Sequence, residues 1–152
     1  VNAIPVQRVQ GTWIDLAEST EYPKLAYAMN EVKKVAGGVF PELADMKLFV
    51  GCPHCMDKHS HHQWKDSDRT GKNWRAFMHT NHFPKTICVH PHAEKELEMR
   101  NLLAMLFHEF GHSVCDIVGW KNTQENADRA SFRFFGVEIF YEGPGRVQTI
   151  KV

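Results

Sequence analysis

His108 and His112 stand four residues apart, with Glu109 directly after the first, in the pentad His108-Glu109-Phe110-Gly111-His112. On a helix, four residues advance slightly more than one turn, so the two imidazoles project side by side and can share one zinc ion. Glu109 then lies about 100° further round, where it can reach a water on the metal's open position rather than the metal itself. A carboxylate so placed can take that water's proton as it attacks a carbonyl carbon and deliver it to the departing amine. The plainer alternative is two helix histidines hydrogen-bonded within a core. A glutamate buried beside them would still need a partner.

Two histidines leave a catalytic zinc short of a third protein ligand. A histidine six residues beyond His112 is excluded, because Val118 stands there. Glu125 is expected as the third ligand, with Asp128 as the alternative. Glu125, Asp128, Phe132, Phe135 and Ile139 form a stripe at helical spacing, which would set carboxylates at the head of an inward-facing apolar seam. With Glu125 on the metal, Asp128 would orient a ligating histidine through its second ring nitrogen. Both acids could instead serve only the positive end of a helix, since they lie in its first turn. For stabilising an oxyanion, several histidines and Tyr141 remain open.

A second place with ligand chemistry is Cys52-Pro53-His54-Cys55. This spacing turns two thiolates toward one point and suits a second, structural zinc. The Cys/His-rich insert at about 52–73 is nearly without aliphatic residues and cannot build a core of its own. Further ligands would come from His59, His61, His62, His79, His82, Cys88 or His90, among which spacing does not choose. One rival is a redox dithiol, which needs a helix opening at Cys52, and Met56 to His62 makes a poor one. Another is a pair of free thiols in a reducing cytosol. Met56 excludes a c-type haem site, and Pro53 follows rather than precedes the first cysteine, against a zinc deaminase. Cys115 lies about 10 Å along the helix from His108, too far to share its zinc, and is assigned to the core. Trp64 and Trp74 bracket Lys65, Asp66, Arg69, Lys72 and Arg75, whose mixed charges fit a solvated loop better than a nucleic-acid surface.

The elements that must position these residues follow from periodicity. Leu25, Ala28, Met29, Val32 and Val35 predict an amphipathic helix from Tyr22 to Ala36, capped by Ser19 or Thr20 and stopped at Gly37-Gly38. Lys47 to Gly51 reads as a strand, and Trp74 to His79 with Lys85 to His90 as a hairpin turning at Asn81 to Pro84. Ala93 to Val118 reads as one long helix or two abutting ones, ended by Gly119. Within it, Gly111 costs about 1 kcal/mol relative to alanine, so close backbone approach is expected there. A last helix is expected from Thr123 to Tyr141, and the tail from Gly143 to Val152 as an edge strand. The expected class is α+β, with a short antiparallel sheet packed on the active-site helix and two further helices. Without repeats or a linker, residues 1–152 read as one domain.

The order of strand (Lys85 to His90), apolar helix with the pentad, short loop and helix with Glu125-Asn126-Ala127-Asp128-Arg129-Ala130-Ser131-Phe132 resembles the zincin metallopeptidases. Within them it is similar to small ImmA/IrrE-type proteins and other minimal gluzincin-like domains. The resemblance spans roughly residues 85 to 141, with the pentad as its specific part. It implies a zincin-like fold and zinc-dependent peptide hydrolysis. A peptide or protein substrate would add as a strand beside the one preceding the active-site helix. Some members of that family regulate transcriptional repressors. Where the family often has two acidic residues ahead of the alanine, this chain has Gln124, Glu125 and Asn126, which leaves the ligand open by one position. SprT-like relatives carry their cysteine module after the active-site helix, whereas here the pair precedes it.

The whole chain sets the outer bounds. Its 152 residues carry 18 Lys+Arg against 18 Asp+Glu, with 10 His and 4 Cys. Neutrality argues against a nucleic-acid binder held by phosphate contacts. No apolar run reaches the roughly 18 residues of a membrane span, and Val1 to Gln10 lack the pattern of a signal peptide. A soluble, cytoplasmic chain is expected, with a removed leader left open because it begins with Val. Besides the peptidase, two other classes stand: a non-catalytic zinc-binding regulatory or interaction module on the same scaffold, and a redox protein using Cys52 and Cys55.

Overall fold

Leu25, Ala28, Met29, Val32 and Ala36 recur at three- and four-residue intervals and are fully buried along helix α1 (Pro23–Val39). The computed structural model describes residues 12–13, 21–51, 78–80, 85–142 and 147–150. Pro23 opens α1, where its missing N–H costs nothing. Ser19 and Thr20 lie outside the described residues, and the cap position falls to Tyr22, which makes no side-chain cap. The first-turn N–H groups of Lys24 and Leu25 instead donate to the Glu94 carboxylate, at 3.0 and 2.9 Å. Nor do the glycines stop the helix. It runs through Gly37 and Gly38 to Val39, and Pro41 ends it by holding Phe40 extended (φ −125°, ψ 99°).

A 3-10 turn (Pro41–Asp45) leads into the sheet, which contains β1 (Thr12–Trp13), β2 (Lys47–Val50), β3 (Met78–Thr80) and β4 (Thr86–Val89) in the order β1-β2-β4-β3. β3 and β4 pair antiparallel, as the hairpin reading requires. The expectation of a wholly antiparallel sheet fails at its centre. β2 and β4 are parallel, in register from Lys47↔Thr86 to Val50↔Val89. Parallel neighbours need a long crossover, and the stretch from Gly51 to Lys85 supplies the length.

Leu48, Val50, Ile87 and Val89 face a common core with α1, while the alternate residues Phe49 and Cys88 are buried on the other side. Beyond β4 come two abutting helices, α2 (Ala93–Glu96) and α3 (Met99–Val118), separated where Leu97 is extended. Glu98 and Asn101 close a reciprocal capping box at the head of α3. Leu102, Met105, Leu106, Phe110 and Val114 carry α3 into the core, whereas Ile117 is exposed. α4 (Gln124–Phe135) starts at Thr123, whose hydroxyl accepts from the Asn126 N–H at 3.0 Å.

The expected helix to Tyr141 is cut short. Gly136 takes a left-handed φ of 72° and terminates α4. The chain then turns into β5 (Ile139–Glu142), paired antiparallel with β6 (Val147–Ile150). The tail strand therefore completes a separate two-stranded sheet, with β6 packed against α3, and is not an edge of the larger sheet. The architecture is mixed helix and strand, of α+β class. No helix among the described residues is long and apolar enough to cross a membrane.

Candidate metal centre

The helix that the pentad requires is α3, and it buries most of the motif. His108 is 5% exposed and Glu109 8%, while His112 is partly open. Their rings meet edge to face with centroids 4.7 Å apart, and the two Nε2 atoms are 3.2 Å from each other. Each Nδ1 is held from behind. His108 Nδ1 lies 2.6 Å from Asp128 Oδ1, and His112 Nδ1 lies 2.5 Å from Asn122 Oδ1. Asn122 donates its amide to Asp116 at 3.1 Å, which leaves its oxygen for the histidine. Both partners at Nδ1 are therefore acceptors, so both ring nitrogens there carry the proton. In the neutral imidazoles, the Nε2 lone pairs then face one another.

Two lone pairs at that separation repel unless something positive lies between them, either a proton or a metal ion. The surroundings favour positive charge. Burial works against the charged form of His108, but the hydrogen bond with Asp128, the charges of Glu109 and Asp128 and the contact with Gln124 together lift its pKa above the ordinary value. Glu109 is buried and makes no hydrogen bond or ion pair among the described residues, an arrangement that costs free energy unless a cation or water answers it. These donors fit a metal: two converging Nε2 atoms with fixed tautomers, and a buried carboxylate beside them.

Gln124 reaches the converging point. Its Oε1 lies 2.7 Å from His108 Nε2 and 2.9 Å from His112 Nε2. Gln124 can answer either state of the pair, offering oxygen to a cation or turning its NH₂ toward bare lone pairs. Sequence reasoning missed it. Gln124 and Asp128 are four apart on one helix face, but Glu125 lies within one turn of Asp128 as well, so spacing does not choose between them.

Glu125, the expected third ligand, is not brought to the histidines. Its side chain is 76% exposed and approaches Arg129 at 3.9 Å. The expected inward seam fails with it, since Phe132 is 59% exposed while Ala127, Ala130 and Ser131 are fully buried. The cause is Gly111. A Cβ there would stand 2.1 Å from the Ala127 carbonyl oxygen, so α4 docks through its smallest residues and is rolled to present Gln124 instead of Glu125. The close approach expected at Gly111 is thus present. No group of three His, Cys, Asp or Glu side chains converges as a metal site among the described residues.

Asp128 does sit behind His108, as the orienting role requires. Its other oxygen accepts from the Tyr141 hydroxyl at 2.7 Å, so Tyr141 faces this carboxylate. Cys52 and Cys55, together with His59, His61, His62 and His82, lie outside the described residues, as do Trp64 and Trp74. Of the other ligands considered for them, Cys88 is buried in β4, and His90 is buried just after it with Nδ1 accepting from the His92 N–H at 3.1 Å. Cys115 is core, and burial with the Asp116 charge pushes its thiol pKa up.

Comparison with protein-family models, with curated proteins and with solved structures finds no match to this chain.

Proposed function

We propose that this chain is a zinc-dependent metallopeptidase of the zincin kind, acting on peptide or protein substrates. The observation that carries the reading is the His108 and His112 pair, turned Nε2 to Nε2 at 3.2 Å with both Nδ1 atoms tied back by acceptors. His108 and His112 would hold the ion, and Asp128 and Asn122 would fix the two rings in the ligating tautomer. Zinc bound there would act as a Lewis acid on the scissile carbonyl and make water a better nucleophile near neutral pH. Glu109, buried beside the pair, would accept the proton of the attacking water and pass it to the leaving amine.

An extended substrate needs a strand edge to lie against. β4, the strand directly before the site, is flanked by β2 and β3 and cannot take another strand. β1 and β3 are the edge strands among the described residues, and β3 packs against α3, so substrate addition is assigned to β3. This corrects the expectation placed on Lys85 to His90.

A second reading, a non-catalytic zinc-binding regulatory module on the same scaffold, draws on one observation. The residue at the converging point is an amide, not a carboxylate. Substituting Glu109→Gln distinguishes the two. On the peptidase reading, the variant keeps the zinc content of the parent, measured by atomic emission, and loses hydrolysis of an unstructured protein by about a hundredfold or more. Equal hydrolysis by parent and variant removes Glu109 from the mechanism.

A further inference from the structure

We infer that the third protein ligand of this centre is the Gln124 amide oxygen, so that the metal is held by a donor set carrying no negative charge. The inference rests on the metal reading above and goes beyond it by assigning a ligand and a charge. Gln124 Oε1 is 2.7 and 2.9 Å from the two Nε2 atoms, so one oxygen faces the point at which both imidazoles aim. Gln124 is the first residue of α4, and the Thr123 cap fixes the turn from which it projects. The docking of Ala127 against Gly111 sets the rotation of that helix.

Among the described residues, the carboxylates near the pair are otherwise engaged. Asp128 uses one oxygen on His108 Nδ1 and the other on the Tyr141 hydroxyl. Asp116 receives the Asn122 amide. Glu125 is directed to Arg129 and solvent. Glu109 follows His108 directly and lies on a different azimuth of the helix, suited to a water rather than to the ion. Two imidazoles and an amide are all neutral ligands. A divalent cation would therefore keep its full charge within the donor set, balanced from outside it by Glu109 and Asp128, whose charges act on His108. Ligand charge is one of the main determinants of metal affinity. The site is accordingly set for weaker binding than the same scaffold would give with glutamate at this position.

The test uses the full chain, stripped of metal by a chelator and titrated with Co²⁺ alone, followed by its visible absorption and by competition with a chelator of known affinity. Gln124→Ala and the near-isosteric Gln124→Glu are compared with the parent. His112→Ala serves as a baseline that retains any metal the chain binds elsewhere. Gln124→Ala should weaken binding at the histidine pair by about tenfold or more, and Gln124→Glu should tighten it by a similar factor, each with a changed visible spectrum. If both variants bind as the parent does while His112→Ala loses the ion, Gln124 is no ligand and the metal reading stands without it. If His112→Ala binds as the parent does, the metal reading itself falls. Gln124→Glu preserves shape, so its affinity can be read even if the alanine variant unfolds.

Discussion

Asp128 is the residue through which the centre is tied to the rest of the molecule, since one oxygen takes His108 Nδ1 and the other takes the Tyr141 hydroxyl of β5. Removing it with Asp128→Ala should lower metal affinity about 10- to 100-fold, because His108 loses the acceptor that fixes its tautomer. Tyr141→Phe removes only the outer bond and should cost less than Asp128→Ala. Chelator competition measures both, and an equal loss in the two variants would show that the tyrosine carries the orientation. The side-by-side placement of the His108 and His112 rings, with Glu109 buried in the same helix, was legible in their spacing. The choice between Gln124 and Glu125 was not legible, because both lie within one turn of Asp128 and only the roll of α4 separates them. That roll is decided by a contact between backbone atoms, which side-chain periodicity does not encode.

Among the elements, the junction of α3 with α4 fixes the geometry of the site, and Gly111 controls it. Gly111→Ala should gain about 1 kcal/mol of intrinsic helix propensity. It must also move the Ala127 carbonyl away from a contact of 2.1 Å, which lies on backbone and cannot swing aside. Overpacking of this kind typically costs about 1–3 kcal/mol, so the steric term wins. The variant should unfold at lower denaturant and bind metal less well, since Gln124 and Asp128 move with α4. A stability above that of the parent would mean that the helices are not docked this closely. The same elements show where periodicity misleads. Phe135 and Ile139 continue a helical stripe on paper, yet Gly136 breaks it and turns Ile139 into a strand. Gly37-Gly38 look like a stop, yet Gly37 packs against Ala44 within the helix and Pro41 does the stopping.

Over the whole molecule, the mixed sheet depends on contacts between parts distant in sequence. Local patterns found β2 and β4, but not their parallel pairing, which relates segments on either side of the Cys52 and Cys55 insert. The Glu94 carboxylate makes a comparable long-range tie. It caps Lys24 and Leu25 of α1, and Lys24 returns its ammonium to the Leu97 carbonyl at 2.7 Å, just ahead of α3. Glu94→Ala should cost about 1–2 kcal/mol, the usual range for a lost helix cap, and here the acceptor is charged. The first amides of a helix ordinarily exchange their hydrogens with solvent quickly, because fraying alone exposes them. Those of Lys24 and Leu25 should instead exchange slowly and at matched rates, since neither can open until α1 and α2 part. Their exchange would thus report a separation of two segments that meet only in the folded chain, and Glu94→Ala should release both amides together.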